Sequence, residues 1–233
     1  MRWQCVVCER VKRSSVKPEL CDCGALQTFL PVATEASAFK AAATISEEAQ
    51  QRHPTGDREL DALMLGGIPN SARLLVWGRG GSGKSRCALR WATHIGPTAC
   101  YSLEMPEDLC KRTAREAGGK LKRLRITRDE LADVPSGARC VVYDSISEAQ
   151  HPTEALERLK RWATKTGGIV FLVCHANKEG DYRGPSTLQH WPEAELELVG
   201  SLDNPGVTQV HVRKSRFCPK GSASAPLVAL HAV

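Results

Sequence analysis

From His53 onward, short apolar runs alternate with stretches whose apolar residues recur every three or four positions. Leu74-Leu75-Val76-Trp77 is one such run and stops at glycines, after which 85 to 94 reads as a helix. Residues 99 to 103 form the next expected strand, followed by a helix from Pro106, since proline is favoured at the first helical position. Leu124-Arg125-Ile126-Thr127, Cys140-Val141-Val142-Tyr143 and 168 to 174 continue the strand series. Between the last two, 153 to 166 has helical spacing with Leu156 and Leu159 inward. Strands alternating with helices predict an α/β fold, a mainly parallel sheet covered on both faces. Segments 194 to 200, 207 to 213 and 226 to 231 are strand-like with little helix between them, which predicts an antiparallel extension at one edge.

Upstream the pattern differs. Residues 1 to 31 form a cysteine-bearing module ending at Pro31, and 32 to 53, rich in Ala, Glu, Gln and Ser, read as a linker. Residues 54 to 233 make up the main domain. The chain has 233 residues, 42% hydrophobic and 25% charged, enough apolar material for a real core. A net charge of +6 is compatible with a polyanionic partner. No run approaches the ~18 apolar residues of a membrane span, and the N-terminus lacks the apolar core of a signal peptide, so a cytoplasmic protein without a membrane partner is expected.

Gly78-Arg79-Gly80-Gly81-Ser82-Gly83-Lys84-Ser85 fits the phosphate-loop pattern G-x-x-x-x-G-K-[ST] and runs into the helix through Arg86. Its glycines let consecutive amide N–H groups face phosphates, and the start of the following helix adds to that field. Lys84 suits the β and γ phosphates and the Ser85 hydroxyl suits magnesium, so ATP and Mg2+ are the expected ligands. A second magnesium-holding acid is required at the end of a neighbouring buried strand, where Asp144 stands, unless it merely caps the next helix. Glu104 ends another strand on the same edge and is the candidate to activate water, with a plain surface turn as the alternative.

Tyr101-Ser102-Leu103-Glu104-Met105-Pro106 is similar to a motif of DnaB-type replicative helicases. The wider pattern resembles the bacterial RadA (Sms) family of recombination ATPases. Thr55-Gly56-Asp57-Arg58-Glu59-Leu60-Asp61 with Gly66-Gly67-Ile68-Pro69 resembles that family's approach to the phosphate loop. His175-Ala176-Asn177-Lys178-Glu179-Gly180, then Gly184-Pro185 and Leu188-Gln189-His190, resembles its stretch after the fifth strand. Arg213-Lys214-Ser215-Arg216-Phe217-Cys218 resembles its K-N-R-F-G signature.

The resemblance implies a RecA-like core, with Glu104 as the water-activating base and His175 as a γ-phosphate sensor. The loop from 176 to 190, with Lys178 and Arg183, would contact DNA, and Lys214 with Arg216 would reach a neighbour's nucleotide as trans-acting cations. It also implies a homo-oligomer, a hexameric ring on single-stranded or branched DNA, with a recombinase as a further candidate partner. Duller readings stay open: a polar strand end for His175, a solvated sheet edge for Lys214 and Arg216, ordinary loop charges for Lys178 and Arg183. The basic stretch from Lys111 to Arg128 reads as a solvated helix face. The sequence departs from the family at Cys218 in place of a glycine, Ser186 in place of a lysine and Gln189 in place of a glutamate. The family's Lon-like domain is expected to be absent, as in a truncated form.

Ten cysteines divide into two groups. Cys87, Cys100, Cys110, Cys140, Cys174 and Cys218 are scattered, several in apolar runs, as buried thiols would be. Cys5-x-x-Cys8 and Cys21-x-Cys23 form two knuckles suited to a structural tetrahedral Zn2+ site, with Gly24 allowing a sharp return. RadA proteins carry such a ribbon with C-x-x-C in its second half, so the Cys21 knuckle is one residue tighter. A free thiol-rich tail is the alternative. The functional expectation is an ATP-dependent motor or remodeller on single-stranded DNA. An ATP-gated, non-motor clamp on DNA or a recombinase and a DnaB-like helicase are the alternatives.

Overall fold

The computed structural model describes residues 2–26, 29–32, 51–176, 186–200, 208–218 and 224–227. The chain divides into two compact units, Met1–Ala49 and Gln50–Val233. In the first, β1 (Arg2–Cys5) pairs antiparallel with β2 (Val11–Arg13) on one side and β3 (Phe29–Val32) on the other. Among the described residues, Cys5, Cys21 and Phe29 form its buried apolar cluster, a small core by the standard of an independent fold.

The second unit is built on an eight-stranded sheet. Its strands are β6 (Arg73–Gly78), β7 (Thr98–Ser102), β8 (Leu124–Thr127), β9 (Cys140–Asp144), β10 (Ile169–His175), β11 (Ala194–Gly200), β12 (Thr208–Ser215) and β13 (Ser224–Leu227). They lie in the order β13-β12-β11-β6-β10-β9-β7-β8. Pairing is parallel from β8 across to β11 and antiparallel along β11, β12 and β13. A small ribbon of β4 (Arg52–His53) and β5 (Ile68–Pro69) lies outside the sheet.

The unbroken apolar runs reflect burial on both faces. Along β10, Ile169, Phe171 and Val173 enter one core while Val170, Leu172 and Cys174 enter the other. The first core packs against α1 (Arg58–Leu63), α2 (Lys84–Ile95) and α3 (Glu107–Glu116), where Trp91 meets Phe171 at 6.3 Å between ring centroids. The second packs against α4 (Pro152–Thr166), which buries Leu156 and Leu159 as its spacing predicted. Asp57 caps α1 by accepting the Leu60 N–H at 3.2 Å. Of the six scattered cysteines all but Cys218 are buried.

The antiparallel extension is present but begins one strand later than the late segments suggested, because β11 still runs parallel to β6. The last strand starts at 224, two residues before the expected 226, while 228 to 231 of that expectation lie outside the described residues; Pro226 is at the sheet edge, where a missing ladder donor is tolerated.

Candidate nucleotide site and cysteine cluster

Parallel strands deliver their last residues to one end of the sheet, and the site is assembled there. β6 ends at Gly78, and the loop from Arg79 to Gly83 turns into α2 at Lys84. Gly78 has φ 154°, and a Cβ on it would press into the Leu198 carbonyl oxygen of β11. Gly83, with φ 86°, starts the helix in a left-handed conformation that other residues rarely adopt. Thr208, at the start of β12, steadies the loop by donating from Oγ1 to the Ser82 carbonyl at 3.2 Å. Nothing in the local sequence signals this strut, because its partners are 126 positions apart.

Lys84 is buried, and its Nζ donates to the Arg79 carbonyl at 2.9 Å. Burial draws its pKa below the usual lysine value, against the opposing fields of Glu104 and Asp144. Arg79, Gly80 and Gly81 are exposed on the outer side of the loop, beside a cleft of about 470 Å³ shared with Glu197 and Gly200. Ser85 lies one residue into α2, and Arg86 pairs with Glu116 at 3.8 Å.

The two acids are held by one carbonyl. The Asp144 backbone oxygen accepts the N–H groups of Leu103 at 2.7 Å and Glu104 at 3.2 Å, which locks the end of β7 to the end of β9. Asp144 is 1% exposed, and neither carboxylate oxygen completes a well-formed hydrogen bond among the described residues. Burial pushes its carboxyl up to about 6, although Ser85 beside it favours the charged form. A buried, unsatisfied carboxylate next to a hydroxyl fits a divalent cation held with phosphate oxygens. Glu104 is more open, and its Oε2 lies 2.9 Å from His175 Nε2, which ends β10 beside Gly78.

The other expected residues divide. Lys214 lies on β12, but its Nζ is engaged at 3.2 Å by both Glu195 Oε1 and the Gln189 carbonyl. Arg216, just beyond the strand, is exposed and makes no ion pair among the described residues. Lys178 and Arg183 lie outside the described residues, as do positions 33 to 50 of the linker expected over 32 to 53.

In the N-terminal unit, the sulfur atoms of Cys5, Cys8, Cys21 and Cys23 all lie within 4.8 Å of one another. Cys5 and Cys23 are 3.9 Å apart and Cys8 and Cys21 are 3.5 Å apart. Four thiolates around one zinc ion at ~2.3 Å stand about 3.8 Å apart, close to the two shorter separations of the cluster, so small adjustments would admit that ion. The tight second knuckle closes through Gly24, with φ 85° and its N–H on the Cys21 carbonyl at 2.8 Å.

No family model matches the chain. It is 26% identical over 221 residues to the DNA repair protein RadA of Pseudomonas aeruginosa, covering 78% of this chain and 48% of that one. RadA of Escherichia coli is 24% identical over 198 residues, with 74% and 42% covered, and RadA of Listeria monocytogenes 28% over 182, with 67% and 39%. The chain thus spans less than half the length of these curated relatives. Among solved structures, a KaiC-like protein of Pyrococcus horikoshii superposes with a TM-score of 0.59 at 18% identity, covering 76% of this chain and 94% of that one. The RadB recombinase superposes with a TM-score of 0.59 at 22% identity, covering 74% and 93%. These two likenesses concern the fold, and the RadA matches concern the sequence. Together they give the chain a RecA-like fold and a sequence similar to that of the RadA proteins.

Proposed function

We propose that this chain hydrolyses ATP in order to act on single-stranded or branched DNA during recombination and repair. The observation that carries the reading is the convergence of a phosphate loop, a buried carboxylate without a well-formed hydrogen bond and a more exposed carboxylate at one end of the sheet. The names of the RadA relatives support the DNA-repair setting.

In this reading the loop amides and Lys84 take the β and γ phosphates, and Lys84 gives up its contact with the Arg79 carbonyl to do so. Ser85 and Asp144 hold Mg2+, which offsets phosphate charge. Glu104 accepts a proton from water as the water oxygen attacks the γ-phosphorus, and the bridging oxygen leaves with ADP. His175, released from Glu104, senses the γ-phosphate and passes its state to the loop from 176 to 190, with Lys178 and Arg183 on DNA. Arg216, with Lys214, supplies positive charge to the site of an adjoining subunit, which requires a homo-oligomer, a hexameric ring by family resemblance. Residues 1 to 31 form a ribbon on Zn2+, 32 to 53 a linker, and 54 to 233 the ATPase domain.

The test is ATP turnover by the full chain with and without single-stranded DNA. Strong stimulation that disappears in Glu104→Gln, with ATP binding retained, is the expected result; no affinity for ATP at any Mg2+ concentration sinks the reading. The ATP-gated clamp is the second reading, favoured by His175 already engaging Glu104. It predicts nucleotide-dependent DNA binding without turnover.

A further inference from the structure

The eighteen residues from Lys111 to Arg128 hold eight lysines and arginines and one acid, a net charge of +7 against +6 for the whole chain. All eight cations are exposed, and none takes part in an ion pair among the described residues. The acid, Glu116, faces Arg86 of α2 instead. Flanking acids are also committed. Asp129 Oδ1 accepts the Leu131 N–H at 2.9 Å, and Glu130 accepts the N–H groups of Gln150 and His151 at 2.9 and 3.1 Å. Glu107 and Asp108 occupy the first turn of α3, with Glu107 roughly 12 Å along the helix from Arg115.

The cations are brought together where the turn after α3 enters β8. Lys120 N–H donates to Thr93 Oγ1 at 3.1 Å, and the Arg123 guanidinium donates to the His94 carbonyl at 2.8 Å, so the turn is fixed to the C-terminal end of α2. Arg90 lies one helical turn before His94 on α2, and burial, then the charges of Lys120, Arg123 and Arg90, hold His94 below the usual histidine pKa against the opposing field of Asp61. Arg123 and Arg125 line a cleft of about 200 Å³ with Thr98, Ser136 and Gly137. Because β7, β8 and β9 are parallel, this cleft at their first residues lies at the opposite end of the sheet from Glu104 and Asp144.

A ridge of this kind suits phosphates. Arginine forks match phosphate oxygens, and most of the eight cations are arginines. No Phe, Trp or Tyr occurs between Tyr101 and Tyr143, so the ridge has no platform for stacking unpaired bases. None of its residues is an exposed large apolar side chain of the kind that would enter a membrane. We propose that Lys120, Lys122, Arg123 and Arg125, extended by Arg90, form a second nucleic-acid surface that holds the backbone of duplex DNA without reading its sequence. This surface goes beyond the ATP-driven reading and does not depend on it.

The experiment measures binding of the full chain to a short duplex of arbitrary sequence across a salt series. The variant is Lys120→Gln, Lys122→Gln and Arg125→Gln together; Arg123 is left in place because it caps α2. A control of equal charge change, Lys160→Gln, Arg161→Gln and Lys165→Gln, removes exposed cations from α4. The ridge variant should lose at least about tenfold in duplex affinity at low salt, and its slope of log affinity against log salt should fall by about 2 to 3. The control should change affinity by less than about twofold. Equal losses in the two variants, or an unchanged slope in the first, overturn the proposal. So does loss of binding to polyglutamate with duplex binding intact, which would make the ridge a protein-facing surface. ATP affinity is expected to stay the same in the ridge variant, so absence of ATP binding would sink the ATPase reading while leaving this readout interpretable.

Discussion

His175 Nε2 lies 2.9 Å from Glu104 Oε2, so the residue proposed to sense phosphate holds the residue proposed to activate water. Both side chains are partly exposed, at 28% and 39%, and an exposed pair of this kind contributes ~1 kcal/mol or less. A γ-phosphate arriving beside Lys84 competes easily with so weak a contact. His175→Ala should therefore retain ATP affinity within about twofold while DNA stimulation of turnover collapses toward the unstimulated rate. Glu104→Gln should lower turnover itself by about 10² to 10⁴. Steady-state turnover with and without DNA separates the two, and a His175→Ala protein that is still fully stimulated removes the sensor.

Asp144 gives the metal-free protein a pH dependence of definite sign. Its carboxyl is raised to about 6 from 3.8, so the folded chain binds that proton more tightly than the unfolded chain does. The contribution is fully present below about pH 4 and is lost as pH rises through about 6, leaving a cost on the order of 3 kcal/mol. Asp144→Asn should abolish this slope and exceed the wild type in stability at about pH 8 when Mg2+ is withheld. Urea midpoints followed from about pH 4 to pH 8 in chelator test it; parallel curves for the two proteins count against it.

Gly78 is constrained by its neighbour strand rather than by phosphate alone. A methyl group there meets backbone of β11, which cannot rotate away, in a conformation disfavoured for any side chain. Gly78→Ala should destabilise the protein by about 2 to 4 kcal/mol, and the denaturation midpoint should fall even without nucleotide. A change confined to ATP affinity would show that the clash is relieved.

These sites differ in how far the sequence exposes them, for physical reasons. Val141, Val142 and Asp144 are legible because a doubly buried strand needs an unbroken apolar run and its acid follows directly. The glycine-rich loop between β6 and α2 is legible because its pattern is local. The Thr208 strut, the clamp of the Asp144 carbonyl on Leu103 and Glu104, and the pairing of Lys214 with Glu195 arise from strand order and register, which local pattern does not encode. Lys120 to Arg125 reads as a solvated face for the same reason: only the docking of that turn on α2 gathers its charge with Arg90.

The cysteine cluster should be separable from the candidate nucleotide site. Cys23→Ser removes one of four converging sulfurs and should reduce bound zinc from about one per chain toward none, with loss of ribbon structure at residues 1 to 31. ATP affinity should remain within about twofold, since the phosphate loop belongs to the other compact unit. Elemental analysis with nucleotide titration checks both halves, and full zinc occupancy in Cys23→Ser excludes that ligand set.

Arg216 and Glu104 provide the test of whether charge is lent between subunits. Arg216 is exposed and without an ion pair among the described residues, whereas Lys214 is engaged by Glu195, so Arg216 is the cation free to leave its own surface. Arg216→Ala should lose about 10³-fold or more in DNA-stimulated turnover and retain ATP binding. Glu104→Gln should be inactive for a different reason, because its own site lacks the proposed base. In mixed assemblies, a Glu104→Gln subunit can still extend Arg216 into the intact base-bearing site of an Arg216→Ala neighbour. Mixing the two inactive proteins with ATP and single-stranded DNA should therefore restore measurable turnover, rising and falling with the mixing ratio. If Arg216 served its own subunit, no mixture would recover activity, because every site would still lack one of the two groups.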